Sequence, residues 1–463
     1  MSEEMKTLRK QLLRDSRSGY DVLEEAQLRQ MEDYCADYKA FLGNKTERLS
    51  ARAAIAAAEA HGFVEYRRGM ALEAGDKVYT CNRGKGLMLA VMGRESMAEG
   101  VQIAAAHIDS PRLDLKPNPL YEDSELAYFK THYYGGIRKY QWVTIPLQLQ
   151  GVVVKKDGTA VEVCIGEKGE PQLVITDLLP HLGAEQSKKP LSEAIPGETL
   201  NILLGSRPIG DEDDSDRVKL HVMKRLYDKY GVTEADFASA ELEAVPAADA
   251  VDIGIDGSMI GSYGHDDRVC GYAALRALLE LDAPAKTAVC VLADKEEIGS
   301  MGVTGMQSAV FETFLSDLCD SQNVPLKVCF ENSFCLSADV TAAYDPNFAD
   351  VFDKKNAAFL NHGVGLCKYT GARGKSGSSD AGAETVAYVR SLLDGAGVRW
   401  QICELGKVDA GGGGTVAQYM ANRNIATLDA GVPVLSMHAP FEVVAKLDCY
   451  EMYRACKAIY EAR

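Results

Sequence analysis

The sequence predicts a mixed α/β protein in which a mainly parallel sheet is flanked by helices and interrupted by a β-rich insert. Three observations carry that expectation. After Val245, short apolar β-runs alternate with amphipathic helical stretches to the end of the chain, the pattern of strand, helix and strand units around a sheet covered on both faces. From Tyr140 to Ile175 the texture differs: β-rich segments follow one another with only Asp157-Gly158 and the stretch Gly166 to Gly169 between them, a hairpin pattern. The length, 463 residues, implies two or three domains rather than one. The expected division is a discontinuous domain, residues 1–112 and 251–463, around an insert at residues 113–250.

In chain order, apolar positions at helical spacing predict a helix within Tyr20–Phe41, and the alanine-rich stretch Ala51–Ala60 predicts another that closes at His61-Gly62. From Lys77 the period becomes strand-like, with runs at Leu87–Met92 and Val101–Ala106. Past the hairpin region, the acidic stretch Gly210–Asp216 reads as a solvated loop before a helix over Val218–Tyr230 and a strand over Ala240–Val245. Strands are then expected at Ala288–Ala293, Ser333–Ala338 and Val432–Ser436, and helices at Val310–Leu318, Ala381–Leu393 and Phe441–Glu461.

Charge restricts the partners. Fifty Lys and Arg face 67 Asp and Glu, and a net charge of −17 repels phosphate backbones and anionic membrane surfaces, which argues against nucleic-acid and membrane binding. The twelve cysteines are scattered without any C-x-x-C pair, as expected of free thiols in a cytoplasmic protein. The first fourteen residues alternate charges without an apolar core, so no secretory signal is expected, and no run approaches the roughly 20 apolar residues that span a bilayer.

Ligands of open α/β sheets bind beyond the carboxyl ends of the strands, so titratable residues just after apolar runs are the ones to weigh. His107 and Asp109 follow Val101–Ala106; Asp294, Glu296 and Glu297 follow Ala288–Ala293; Asp339 follows Ser333–Ala338; His438 follows Val432–Ser436; and Asp266-Asp267 precede a helical stretch. In extended chain residues i and i+2 face one side, so His107 can bind a metal while the Asp109 carboxylate orients its ring. Of the adjacent glutamates, one can bind metal while the other faces a water as general base. Asp266 can bridge two cations, with Asp339 and His438 completing the shells. Two imidazoles and three carboxylates suit two divalent ions, zinc first, with manganese or cobalt as alternatives. Five carboxylates in one pocket also need compensation that two dications nearly supply. Competing motifs are weak: Gly411–Gly414 lacks the lysine of a phosphate loop, and there is no G-x-S-x-G elbow. His61, His132, His221, His265 and His362 read as surface, capping or packing residues.

The segments that hold these residues are His107-Ile-Asp-Ser-Pro-Arg-Leu-Asp-Leu-Lys-Pro, His265-Asp-Asp-Arg, Asp294-Lys-Glu-Glu-Ile-Gly-Ser, Ser337-Ala-Asp-Val and Ser436-Met-His-Ala-Pro. In that order the chain resembles the aspartyl aminopeptidase family of dinuclear zinc aminopeptidases. The resemblance implies a zinc-peptidase fold that removes N-terminal amino acids, acidic ones among them, from peptides with a free N-terminus. It implies metal ligands at His107, Asp266, Glu297, Asp339 and His438, with Glu296 as general base and Asp109 supporting His107. It further implies that the insert is a β-rich dimerisation domain of a homo-oligomer, a dodecamer in family members. His181 is similar to an insert histidine that reaches a neighbouring subunit's site, Lys368 to a lysine near the substrate carboxylate, and Asp409 to a loop residue of the same pocket. Ala342 and Asp345 stand where the family's better-known members carry histidines, so substrate-side contacts differ. The alternatives are a related dinuclear deacylase or carboxypeptidase, which requires no free amine, and a non-catalytic metal-stabilised scaffold.

Overall fold

The computed structural model describes residues 2–15 and 17–463. Its strands form three sheets. In chain order the first four are β1 (Val64–Glu65), β2 (Lys77–Asn82), β3 (Gly86–Val91) and β4 (Val101–His107). Six follow between residues 112 and 246: β5 (Arg112–Asp123), β6 (Leu126–Tyr134), β7 (Leu147–Val154), β8 (Ala160–Ile165), β9 (Ile202–Gly205) and β10 (Ala240–Pro246). Next come β11 (Val251–Ile253), β12 (Met259–Ser262), β13 (Thr287–Ala293), β14 (Phe334–Ala338) and β15 (Thr341–Ala342). The last are β16 (Val364–Cys367), β17 (Trp400–Ile402), β18 (Ala426–Gly431), β19 (Pro433–Leu435) and β20 (Glu442–Ala445).

The nine-stranded sheet has the order β1-β2-β3-β13-β4-β14-β18-β16-β17. Five of its eight neighbouring pairs are parallel, the mixed and mainly parallel sheet that the alternation of strands and helices predicts. Its centre is apolar on both faces, as covered parallel strands require. Ala104, Ala106, Cys290 and Leu292 pack under the helices His265–Leu279 and Lys446–Tyr460. Their neighbours Ile103, Ala105, Val289 and Val291 face the other way, toward the helix Val310–Asp320. The residues between 112 and 246 form a sheet of their own, β8-β7-β10-β5-β6-β9, with its own core around Trp142, Phe129 and Phe237. Local signals set the helices: Thr46 accepts from the Leu49 N–H to start Glu47–Ala60, and Gly231, at φ 63°, ends Arg217–Tyr230.

Two sequence expectations are corrected. The strand expected at Val432–Ser436 forms as β19 but not in the large sheet, whose strand here is β18, ending at Gly431; β19 belongs to a third, five-stranded sheet of order β11-β12-β20-β19-β15. The helix expected over Phe441–Glu461 begins only at Lys446, because the β-branched pair Val443-Val444 continues an extended strand that pairs with β12 and β19. The third sheet escaped pattern reading because its strands are too short to display a period.

β13, β4, β14 and β18 are adjacent and mutually parallel, so their carboxyl ends share one edge of the sheet. One close approach fixes that edge. A Cβ added to Gly431 would lie 1.6 Å from the carbonyl oxygen of Asp339. Gly431→Ala is therefore expected to destabilise the protein by about 1–3 kcal/mol through overpacking against backbone. Denaturant unfolding measures this, and a loss below about 0.5 kcal/mol would show that β18 yields.

Candidate metal centre

His107 is the last residue of β4 and pairs in register with Ala293 at the end of β13, so Glu296 and Glu297 leave the sheet directly beside it. Asp339 follows β14, the strand on the other side of β4. Asp266 opens the helix His265–Leu279, which packs across β4. His438 sits in the turn between β19 and β20 of the third sheet. Three-dimensional structure thus assembles seven of the ten residues singled out from sequence.

Their arrangement centres on Asp266. Its Oδ1 lies 3.1 Å from His107 Nε2 and its Oδ2 3.1 Å from His438 Nε2. Asp339 Oδ1 is 4.0 Å from the same nitrogen of His107, and Glu297 Oε2 is 3.5 Å from His438 Nε2. Two donor groups result, His107 with Asp266 and Asp339, and Asp266 with Glu297 and His438; within each, the donor atoms lie within 4.8 Å of one another. Each is a set of imidazole nitrogen and carboxylate oxygens of the kind zinc takes. Glu296 Oε2 stands 3.9 Å from His107 Nε2, outside both donor groups and partly exposed.

The electrostatics call for cations. Burial pushes the carboxyls of Glu297 and Asp339 well above the usual carboxylate range, with the charge of Asp266 adding to it at Glu297 and that of Asp267 at Asp339. Burial also pushes Glu296 up to about 7 in spite of the neighbouring His107. Burial would lower the imidazoles, but Asp109 and Asp266 hold His107 well above its ordinary value, and Asp266 with Glu297 raises His438 to about 10. Burial would raise Asp266, yet the same two imidazoles keep it below the ordinary range. Glu297 Oε1 and both oxygens of Asp267 are buried without a hydrogen-bond partner. A pocket that confines this much acid and leaves oxygens unpartnered fits metal ions, which replace the protons on its donors.

The supporting contacts refine the sequence reading. His107 Nδ1 lies nearest the backbone carbonyl of Asp109, at 2.9 Å, with the Asp109 carboxylate at 3.3 Å. That carboxylate also accepts the backbone N–H groups of Glu296 and Glu297, at 3.1 and 3.2 Å, so it holds the two glutamates as well as the histidine. Pattern reading missed three partners. Glu442 accepts the backbone N–H of Asp266 at 3.1 Å and of His438 at 2.7 Å, tying one donor to the other. The Gly136 carbonyl accepts from His438 Nδ1 at 2.9 Å, and Tyr134 donates to Asp109. An acidic residue inside the apolar run Phe441-Glu442-Val443-Val444 was the one available signal for Glu442. His265 is the packing residue that was expected: Tyr38 Oη lies 2.8 Å from its Nδ1, and burial lowers it to about 3.

The remaining three residues lie elsewhere in the chain. Lys368 is exposed directly after β16, and Asp409 is exposed in a loop that reaches the same segment through the Gly413 N–H to Thr370 carbonyl bond. His181 is exposed in the short turn Pro180–Leu182. Ala342 ends β15, and Asp345 caps the following turn by accepting from the Asn347 N–H.

Comparison with known proteins follows the same lines. The family described as Aminopeptidase I zinc metalloprotease (M18) matches residues 44–460. A Clostridium acetobutylicum protein named Probable M18 family aminopeptidase 1 is 48% identical over 450 residues, 95% of this chain and 97% of its own. The crystal structure of an M18 family aminopeptidase from Thermotoga maritima superimposes with a TM-score of 0.93 at 42% identity, covering 97% of this chain and 99% of that one. A structure described as the mApe1 dodecamer of S. cerevisiae shares the fold, with a TM-score of 0.75 at 22% identity, over 93% of this chain and 98% of that one.

In chelator, the folded protein should hold protons on Glu296, Glu297, Asp339 and His438 that the unfolded chain gives up at lower pH. Their folded values are raised, so the native state binds more protons and stability falls as pH rises between about 5 and 8. Thermal melts across that window should show the midpoint of the chelated protein dropping with pH and zinc flattening the slope. A midpoint that climbs with pH in chelator would contradict this electrostatic account.

Proposed function

The chain belongs to the M18 family of zinc metallo-aminopeptidases, and from that premise we propose a two-ion hydrolytic centre with Glu296 as its general base. One ion is assigned to His107, Asp266 and Asp339, and the other to Asp266, Glu297 and His438. The observation that carries this reading is Asp266, whose two oxygens each face a different imidazole at 3.1 Å. Bound zinc supplies Lewis-acid polarisation of a carbonyl and a lowered pKa for water.

The protein's own groups then divide the work. Glu296 takes a proton from the attacking water as the new C–O bond forms at the scissile carbonyl. As the C–N bond breaks, it gives that proton to the leaving amine. The second glutamate cannot share this task, because Glu297 is turned toward His438. Asp109 holds both backbones so that the neighbours keep separate roles.

The substrate side is proposed to include Lys368 and Asp409, on the two loops that meet beyond β16, with Lys368 offering a cationic partner to a substrate carboxylate or an acidic first side chain. His181 is assigned to a neighbouring subunit's site in a homo-oligomer built through the residue 113–250 insert, dimer-based and dodecameric at its largest. The exposure of Leu178, Leu179, Leu182 and Leu191 around His181 supports a partner covering that segment. We assign the protein to the cytoplasm on its free cysteines; among the described residues no helix is long and apolar enough to cross a membrane.

Glu296→Gln should lower kcat by about 10²- to 10⁴-fold while zinc content stays at the wild-type level. Near-wild-type turnover would remove the base assignment. Peptides beginning with Asp, Glu, Leu or Ala, each free and N-acetylated, test the substrate class. Cleavage of the free series alone is expected, and equal cleavage of the blocked series would favour a deacylase or carboxypeptidase.

A further inference from the structure

Asp109 is fully buried, and its carboxylate receives donors from three directions: His107, the backbone of Glu296 and Glu297, and the hydroxyl of Tyr134, which donates to Oδ2 at 2.8 Å. Tyr134 alone among these comes from the six-stranded sheet. It is the last residue of β6 and stands directly opposite Arg112 in the antiparallel register with β5. The guanidinium of Arg112 lies 3.9 Å from the centre of the Tyr134 ring, a geometry in which the cation is attracted to the ring face.

Arg112 is itself immobilised. Its Nε is 2.8 Å from Asp114 Oδ1 and 3.3 Å from Glu243 Oε2, and its Nη1 is 3.3 Å from Glu47 Oε2. Glu243 belongs to β10 and Glu47 to the helix Glu47–Ala60, so three elements converge on one guanidinium. Glu47 is fully buried and also lies 3.7 Å from Lys85 Nζ. The outcome is a continuous column: Asp114, through a hydrogen bond, and the buried Glu47 and Glu243, through charge at 3.3 Å, hold Arg112, Arg112 lies on the Tyr134 ring, and the Tyr134 hydroxyl donates to Asp109.

The end of that column needs external support. Glu296 and Glu297 occupy a single three-residue turn, entered through Lys295 at φ 69° and left through Gly299 at φ 91°. No helix continues beyond it to set their direction. The backbone bonds to Asp109 do so, and a small tilt of Asp109 would be passed to both glutamates. Misplacing a catalytic group by about 1 Å is enough to reduce turnover by about 10²-fold.

We propose that Tyr134, held by Arg112, is a positioning residue that aims Glu296 through Asp109, which makes the β5–β6 hairpin a working part of the hydrolytic centre of its own chain. The inference rests on the reading of Glu296 as general base. A hairpin that served only in subunit contacts would have no need of a buried hydroxyl on Asp109.

Tyr134→Phe keeps the ring and its stacking and deletes only the hydroxyl. In the full-length protein it should lower kcat by about 10- to 100-fold with KM nearly unchanged, and weaken zinc binding measured by chelator competition. Arg112→Lys, which keeps the charge but loses the planar fork, should reproduce the kcat loss and serves if Tyr134→Phe does not fold. Phe129→Leu, in the core of the same sheet but away from the column, should lower the melting temperature with kcat per folded molecule unchanged. Adding Tyr134→Phe to Glu296→Gln should cost less than about twofold more, because both act on one step. Tyr134→Phe with wild-type kcat and zinc affinity overturns the inference, as does a kcat loss that merely follows the folded fraction. An active Glu296→Gln overturns the base assignment instead, so the two failures are told apart.

Discussion

The structure depends on one constraint: acidic side chains gathered in a largely buried pocket must be compensated by something other than bulk water. Asp266 sits at the middle of that problem, with an imidazole on each oxygen and Glu297 and Asp339 pressed up by burial on either side. A hydrophobic core of this size could have excluded such residues. That they are kept, buried and converging, is what gives the fold its chemistry.

The architecture serves this by borrowing from three sheets. The large sheet supplies direction, because four adjacent parallel strands end on one edge. The five-stranded sheet supplies the turn that carries His438, and the six-stranded one supplies the contacts at Tyr134 and Gly136. Glu442, in β20 of the five-stranded sheet, ties the turn that carries His438 to the helix that carries Asp266 by taking one N–H from each. Burial pushes its carboxyl up to about 8, so its own charge is also governed by the centre it supports. A group that organises the pocket is in this way held by the pocket's electrostatics.

How much of this was legible in the sequence depends on the kind of signal. Long apolar strands such as β4 and β13, followed at once by His107 and by Glu296-Glu297, announced themselves by composition and position. The helix Arg217–Tyr230 was read to within one residue from its helical pattern. Two-residue and three-residue strands such as β15 and β11 carry no period and were invisible, and without them the strand expected at Val432–Ser436 could not be placed in a third sheet. Glu442 was hidden for a related reason: its segment was read as the start of a helix, whereas it lies in a short strand opposite Ser262. Tyr134 was beyond reach because its partner lies 25 positions earlier in the chain and only the β5–β6 register brings them together.

The contact between Gly136 and His438 has a consequence for how such a protein can change over time. The imidazole is aimed by a main-chain oxygen, an atom every amino acid carries, so the path of the polypeptide is what matters at that point. Outside the Arg112–Tyr134 contact and the buried core, side chains of the six-stranded sheet are free to drift as long as the path survives. Size is restricted at the glycine itself, where a Cβ would come within 3.3 Å of His438 Nδ1. The segment therefore behaves less like an exchangeable module than like a fixture: transplanting it between relatives would carry part of the histidine's alignment with it.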